Sequence, residues 1–257
     1  MQQLMNWLVA FMLAKAPLTR PHYIPEAKET VEEGQVRYES IAADIAEVLK
    51  DEKPLFKGPD GKLRTSALIL SVMFHESGFR RDVDLGLGKL SKGDNGNSVC
   101  LMQLNIGKGK TMKWNKVLNR PAYPADPKED LEEGWTAKEV LADRKKCIRA
   151  GLRLLRLSFG SCGPNPKDWL RIYASGNCKS GAKESASRVG LAQRWYAANK
   201  PSFDDTVFLP PPPPKQDGFP PIESTSGADE VSGYQRETFD VVVDRLIKTT
   251  SVAGTPQ

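Results

Sequence analysis

The sequence is poor in the residues that build metal centres and in the patterns that build sheets. Its 257 residues contain only two histidines, His22 and His75, and its four cysteines include no C-x-x-C pair. Clustered Cys and His at zinc-ligand spacing are therefore missing, and neither a metal nor another cofactor is expected. No segment of any length alternates apolar and polar residues with the period of two that marks a half-buried strand, and no internal repeat is visible. A basic stripe interleaved with aromatics is also absent. Lys and Arg are spread along the chain, with small clusters at Arg80-Arg81 and Arg144-Lys145-Lys146, and the net charge of +5 favours polyanions without selecting one. A specific nucleic-acid partner is not expected. The apolar opening stretch MQQLMNWLVAFMLA is too short to cross a bilayer comfortably, which takes about 20 residues. No Lys or Arg precedes it, so the charged n-region of a signal peptide is missing, although Ala14-Lys15-Ala16 offers a small-x-small site. The stretch reads as an amphipathic helix that docks on a partner or on its own domain.

What is present is a helical rhythm and enough apolar material, 39% of residues, to fill a core. Tyr38, Ile41, Ala42, Ile45, Val48 and Leu49 follow three-four spacing. After the GPDG turn at Gly58 to Gly61, Thr65 is placed to cap a helix running to Glu76. Residues 82–99 are rich in Gly, Asp, Asn and Lys and read as a long loop. TAKEVLADRKKCIRAGLRLLRLSF reads as one helix with Thr136 as its N-cap. PKDWLRIYAS and KESASRVGLAQRWYAA read as two more, separated by a turn at Gly176 to Gly181. The chain is therefore mostly α, with an N-terminal apolar helix and linker over residues 1–35 and a helical body over 36–200. An extension follows over 201–257. That extension holds five consecutive prolines, Pro210 to Pro214, a stiff extended strut. A short segment with Phe239, Val242, Val243 and Leu246 on one side follows, read as a docking helix. The cysteines, Cys100, Cys147, Cys162 and Cys178, suit one or two disulfides in an oxidising compartment or four buried thiols in a reducing one, and their number does not choose.

The stretch ALILSVMFHESGFRRD, Ala67 to Asp82, carries the functional signal. An apolar helix that ends in Glu76 sets a carboxyl where burial disfavours its charged form, which suits a proton donor. The competing reading is a solvated helix end in which Glu76 pairs with Arg80 or Arg81. Two further segments accompany it: LMQLN at Leu101 to Asn105 and YASG at Tyr173 to Gly176. In this order the three are similar to the signatures of the soluble lytic transglycosylases, goose-lysozyme-like enzymes that cut the glycan of bacterial peptidoglycan. The likeness covers roughly residues 60–200. It implies a lysozyme-like helical domain in which Glu76 is the catalytic acid and base, with Ser77, Met102, Gln103 and Tyr173 around the substrate. Ser77 would hydrogen-bond the sugar, Met102 would pack on a sugar face, Gln103 would read hydroxyl or acetamido groups, and the Tyr173 hydroxyl would orient the Glu76 carboxyl. The plain alternatives are Ser77 capping the helix end, Met102 in the core, Gln103 simply exposed and Tyr173 buried with its hydroxyl on a backbone carbonyl, and His75, one position from Glu76, is expected to take no part.

The sequence departs from that family where NSVC precedes Leu101, with Cys100 in place of the usual glycine, and where Ala174 follows the tyrosine. Cys100 with Cys147, and Cys162 with Cys178, are the expected pairings, the second clipping the turn around Tyr173. Cleavage of the MurNAc–GlcNAc bond by one carboxylate that first protonates the leaving oxygen and then acts as base gives a 1,6-anhydro product. A hydrolytic muramidase would want a second carboxylate, for which Asp82, Asp84 and Asp94 are the candidates. Besides peptidoglycan, the apolar N-terminal helix and the C-terminal extension are expected to meet other proteins of a large assembly. A bacteriophage particle that opens the cell wall locally unites these features. A secreted or periplasmic bacterial enzyme, or a non-catalytic virion protein of the same fold, are the rival readings.

Overall fold

The computed structural model describes residues 2–20, 24–107, 110–117, 120–122, 125, 127–132 and 134–208. His22, the proline run and the expected docking helix with Phe239, Val242, Val243 and Leu246 lie outside the described residues. Eight α-helices make up most of what is described: α1 (Gln2–Lys15), α2 (Val31–Asp51), α3 (Gly61–Ser77), α4 (Arg81–Leu85), α5 (Ala137–Ala142), α6 (Arg144–Ser158), α7 (Arg171–Ser175) and α8 (Ala182–Ala198). The mostly-α class is what the structure has.

Helix α1 packs on α2 and α3. Leu4, Leu8, Phe11 and Met12 are wholly buried, each contributing roughly 1.5–3 kcal/mol by leaving water. Trp7 Nε1 donates to the Asn199 carbonyl at 2.6 Å, and Tyr38 of α2 donates its hydroxyl proton to the Ala16 carbonyl at 2.7 Å. The apolar opening stretch therefore docks on its own domain, and the same core continues through α2, α3, α6 and α8. A boundary near residue 35 does not separate two cores. No helix among the described residues is long and apolar enough to cross a membrane.

Helix α3, which carries Glu76, starts one turn earlier than its sequence suggests. Its first amides, those of Lys62 and Leu63, donate to the Asp205 carboxylate at 2.7 and 3.0 Å. The cap thus comes from 143 positions downstream. Thr65 is inside the helix and does not cap it: its hydroxyl donates to the Gly61 carbonyl at 2.7 Å and accepts from Leu55 N at 2.9 Å. Gly61 is obligatory, since a Cβ there would stand 2.3 Å from the Phe56 carbonyl oxygen. The helix ends at Gly78 in the left-handed conformation, φ 58°, the common glycine stop.

The long helix expected after Thr136 is two. Thr136 does cap α5 in a reciprocal box with Glu139. The chain breaks at Asp143, whose side chain accepts from the amides of Lys145 and Lys146 and so starts α6 afresh. PKDWLRIYAS is a single 3-10 turn, Pro166–Asp168, followed by the short α7. Residues 82–99 are not all loop, because α4 and two 3-10 turns lie in and beside them. The described strands are two-residue pairs, antiparallel throughout: Ser98–Val99 with Leu104–Asn105, Thr111–Met112 with Trp135–Thr136, and Trp114–Asn115 with Arg120–Pro121. Pairs this short leave no alternation for a sequence reading to find.

Two disulfides close the fold. Cys100 joins Cys147 of α6 and Cys162 joins Cys178, with Cα separations of 6.3 and 5.2 Å. These are the pairings expected. All four cysteines are bonded.

Candidate active site

Glu76 sits in the last turn of α3 and lines a cleft of about 880 Å³. Asp94, Ser98, Gln103, Asn105 and Arg188 supply polar lining; Ile106, Met112, Leu154, Leu157 and Ile172 supply apolar lining. A volume of this size belongs to the range of ligand clefts, and its lining is a mixture of polar and apolar groups, the polar ones at least as prominent. Arg188 of α8 pairs with Glu76: its Nη2 and Nε both donate to Oε1, at 2.6 and 3.0 Å. Among the described residues nothing donates to Oε2. The local pairing with Arg80 or Arg81 is not made. Arg80 is forked onto Asp82, and Arg81 reaches the Lys28 carbonyl and Glu33.

Only 18% of the Glu76 side chain is exposed. Burial pushes its pKa above the ordinary carboxyl value, the Arg188 guanidinium opposes that rise, and the Asp94 carboxylate adds to it. The net direction is upward. His75, on the same helix, is exposed and within 3.4 Å of the Ser187 hydroxyl. Burial lowers its pKa, and the charge of Arg188 lowers it further. It is not part of the cleft lining.

The other residues implied by the family likeness divide. Ser77 is 5% exposed and faces away from the cleft, its hydroxyl donating to the Met73 carbonyl at 2.7 Å and accepting from Phe79 N at 3.3 Å. It closes the helix end and offers no hydrogen bond to a ligand. Met102 is wholly buried and packs on Gly151, where a Cβ would lie 2.1 Å from its sulfur. Its side chain is core. Gln103 does line the cleft, yet its amide is engaged with backbone: Oε1 accepts from Gly93 N at 2.8 Å, and Nε2 donates to the carbonyls of Cys100 and Ser91 at 3.1 and 3.2 Å. That clasp stabilises an uncommon backbone, since Cys100 and Gln103 both have positive φ, 64° and 46°. Tyr173 lines the cleft and donates its hydroxyl proton to the Met102 carbonyl at 2.6 Å, not to Glu76. Burial, and then the nearby Glu76 carboxylate, raise its pKa well above the ordinary value. It braces the Leu101–Asn105 turn against α7.

No family model, curated protein or solved structure matches this chain.

Of the three loop aspartates, Asp82 is bound to Arg80, and Asp84 is buried and forked onto Arg144 at 2.9 and 2.8 Å. Both serve the scaffold. Asp94 alone of the three faces the cleft, its Oδ2 accepting from the Ser98 hydroxyl at 2.5 Å and from Asn105 Nδ2 at 3.3 Å. Among the described residues no group of three His, Cys, Asp or Glu stands close enough to hold a metal ion. Arg188 was missed in the sequence. Its signal was position: it lies three and four residues before Leu191 and Ala192, both buried, so it occupies the apolar face of α8. A charge there calls for a buried partner.

Proposed function

We propose that this protein is a peptidoglycan lytic transglycosylase that cleaves the MurNAc–GlcNAc bond, with Glu76 as general acid and then base. The observation that carries the reading is Glu76 itself: a carboxyl raised in pKa by burial, set in a large cleft, with one oxygen held by Arg188 and the other met by no donor among the described residues. Such a group is protonated at a pH where a free carboxyl is not, and can deliver its proton to a leaving oxygen. The apolar share of the lining suits the faces of sugar rings, and Asn105 and Ser98 offer polar contacts. The sequence likeness at FHESGF, LMQLN and YASG supports the same reading through Glu76, Gln103 and Tyr173. In that reading Met102 and Ser77 support the site from behind rather than touching sugar.

Asp94 favours a second outcome of the same cleavage. A carboxylate in the cleft beside Glu76 is what a hydrolytic route needs to activate water or steady positive charge at the anomeric carbon. Digestion of purified peptidoglycan by the wild type, Glu76→Gln and Asp94→Asn, followed by mass spectrometry of released muropeptides, separates the routes. Anhydro products that vanish with Glu76→Gln and persist with Asp94→Asn support the transglycosylase. Hydrated ends lost in both variants mean a muramidase. No release from several wall types by the wild type leaves a non-catalytic role. We further place the protein in a bacteriophage particle acting at the cell wall, a setting that rests on the composition of residues 201–257. Peptide mass spectrometry of purified virions tests it.

A further inference from the structure

We propose that Arg188 is the positioning residue of this site: by binding Oε1 with two N–H donors it presents Oε2 of Glu76 as the one oxygen that gives up and takes back the proton. The inference rests on the glycan-cleaving reading above and deepens it.

The geometry separates Arg188 from an ordinary counter-ion. A guanidinium forked squarely onto a carboxylate spends one donor on each oxygen and occupies both. Here both donors converge on Oε1, at 2.6 and 3.0 Å. Arg188 is itself 9% exposed, and its backbone is fixed to the same helix as Glu76, its carbonyl accepting from the Ser71 hydroxyl at 2.6 Å. The arginine thus holds α3 at two points, one by main chain and one by side chain, and the carboxyl cannot turn without breaking two charged hydrogen bonds. The charged or titratable groups that act on Glu76 are Arg188 from α8 and Asp94 from the loop, and Tyr173 of α7 feels the Glu76 charge. His75 on α3 points outward and acts on neither oxygen.

The chemistry follows from this arrangement. Oε2 transfers its proton to the glycosidic oxygen as the bond from that oxygen to C1 breaks, the bonding pair leaving with the oxygen. The Glu76 carboxylate then carries one negative charge beside the positive charge at C1, and Arg188 stabilises it without moving. In the second half Oε2 removes the proton from the attacking hydroxyl as its oxygen bonds to C1, which restores the acid.

The test compares the wild type with Arg188→Met and Arg188→Lys, each confirmed folded by circular dichroism. Carbon NMR of the Glu76 carboxyl is followed against pH, and steady-state cleavage is measured on soluble glycan strands prepared with an amidase. Losing Arg188 removes the influences that lower the Glu76 pKa, so Arg188→Met should titrate at higher pH, and the alkaline limb of its rate profile should move up with it. Its plateau kcat should fall about 100-fold, the scale of a displaced catalytic group, with KM nearly unchanged. Arg188→Lys, which keeps the charge but loses the fork, should hold the limb close to the wild type while recovering only part of kcat. A loss confined to KM, or a Glu76 titration unmoved in Arg188→Met, would overturn the inference. A wild type that cleaves no strand sinks the transglycosylase reading instead. The titration needs no substrate and tells the two failures apart.

Discussion

At the scale of single residues, Glu76 stands between opposing influences, and pH is the way to weigh them. Its native pKa is raised, chiefly by burial. Between the ordinary carboxyl value of 4.5 and the raised native one, the folded protein keeps a proton that the unfolded chain has released. Folding stability must therefore fall as pH rises through that window. Glu76→Gln should flatten this dependence, which urea denaturation at a series of pH values would show. In activity the sign is the same, since an acid works only while protonated: kcat/KM should fall on the alkaline side as Glu76 ionises. The core makes its own demand beside the cleft. A methyl group at residue 151 would meet the Met102 sulfur, so Gly151→Ala should cost about 1–3 kcal/mol by overpacking, measured by thermal or chemical denaturation. Glu76 could be singled out from the sequence because an apolar run ending in a carboxylate is a local pattern. Its partner Arg188, 112 positions away, could not, because ion pairing between distant helices leaves no local trace. For Met102 and Ser77 the family likeness points to the cleft while the plain alternatives, core and helix end, are what the structure has, for a related reason. Sequence proximity to a cleft residue does not say on which side of the backbone the neighbour falls.

At the scale of elements, helix ends were the hardest to read and are the most informative to perturb. The three-four periodicity of α2 and the apolar run of α3 were legible because packing repeats along a helix. The start of α3 was not, because its cap is Asp205, supplied by a remote segment. Asp205→Ala should remove both bonds to the Lys62 and Leu63 amides and destabilise the fold by about 1 kcal/mol, read as a shift in the denaturation midpoint. Thr65→Val leaves those amides capped, and its effect should come from the two lost bonds of its hydroxyl, the one it donates to the Gly61 carbonyl and the one it accepts from Leu55 N. The break between α5 and α6 has a visible cause in retrospect. Asp143 is a good capping residue inside a run that otherwise reads as continuous helix, and Arg144, just after it, turns back to bind Asp44 and Asp84.

Across the whole molecule, the two disulfides flank the cleft from different sides of the chain. Cys100 lies three residues before Gln103, and Cys178 lies two residues after Gly176, both of them cleft residues. The bridges close loops with sequence separations of 47 and 16, so constraint of the unfolded chain should contribute about 4 and 3 kcal/mol respectively. Reduction should therefore lower the melting temperature sharply. Cys162→Ser with Cys178→Ser should be the milder of the paired replacements, with calorimetry in the presence and absence of reductant as the check. The count of cysteines alone left their pairing open, and the pairing expected, with the second bridge clipping the turn around Tyr173, is the one present. The domain plan was read less well, because composition changes at residues 35 and 200 while packing does not. Helix α1 fills the common core, and Phe208 is 3% exposed, beyond the boundary drawn at 200.

The Asp205 clasp has a mechanical meaning. A pull arriving at Phe208 meets first that side chain, buried in the core, and next the Asp205 segment, whose amide holds the Pro59 carbonyl and whose carboxylate holds two amides at the first turn of α3. Glu76 lies 14 residues farther along that helix, about 21 Å at 1.5 Å per residue. A protein anchored by its C-terminal extension would carry its load through the rod that bears the carboxyl.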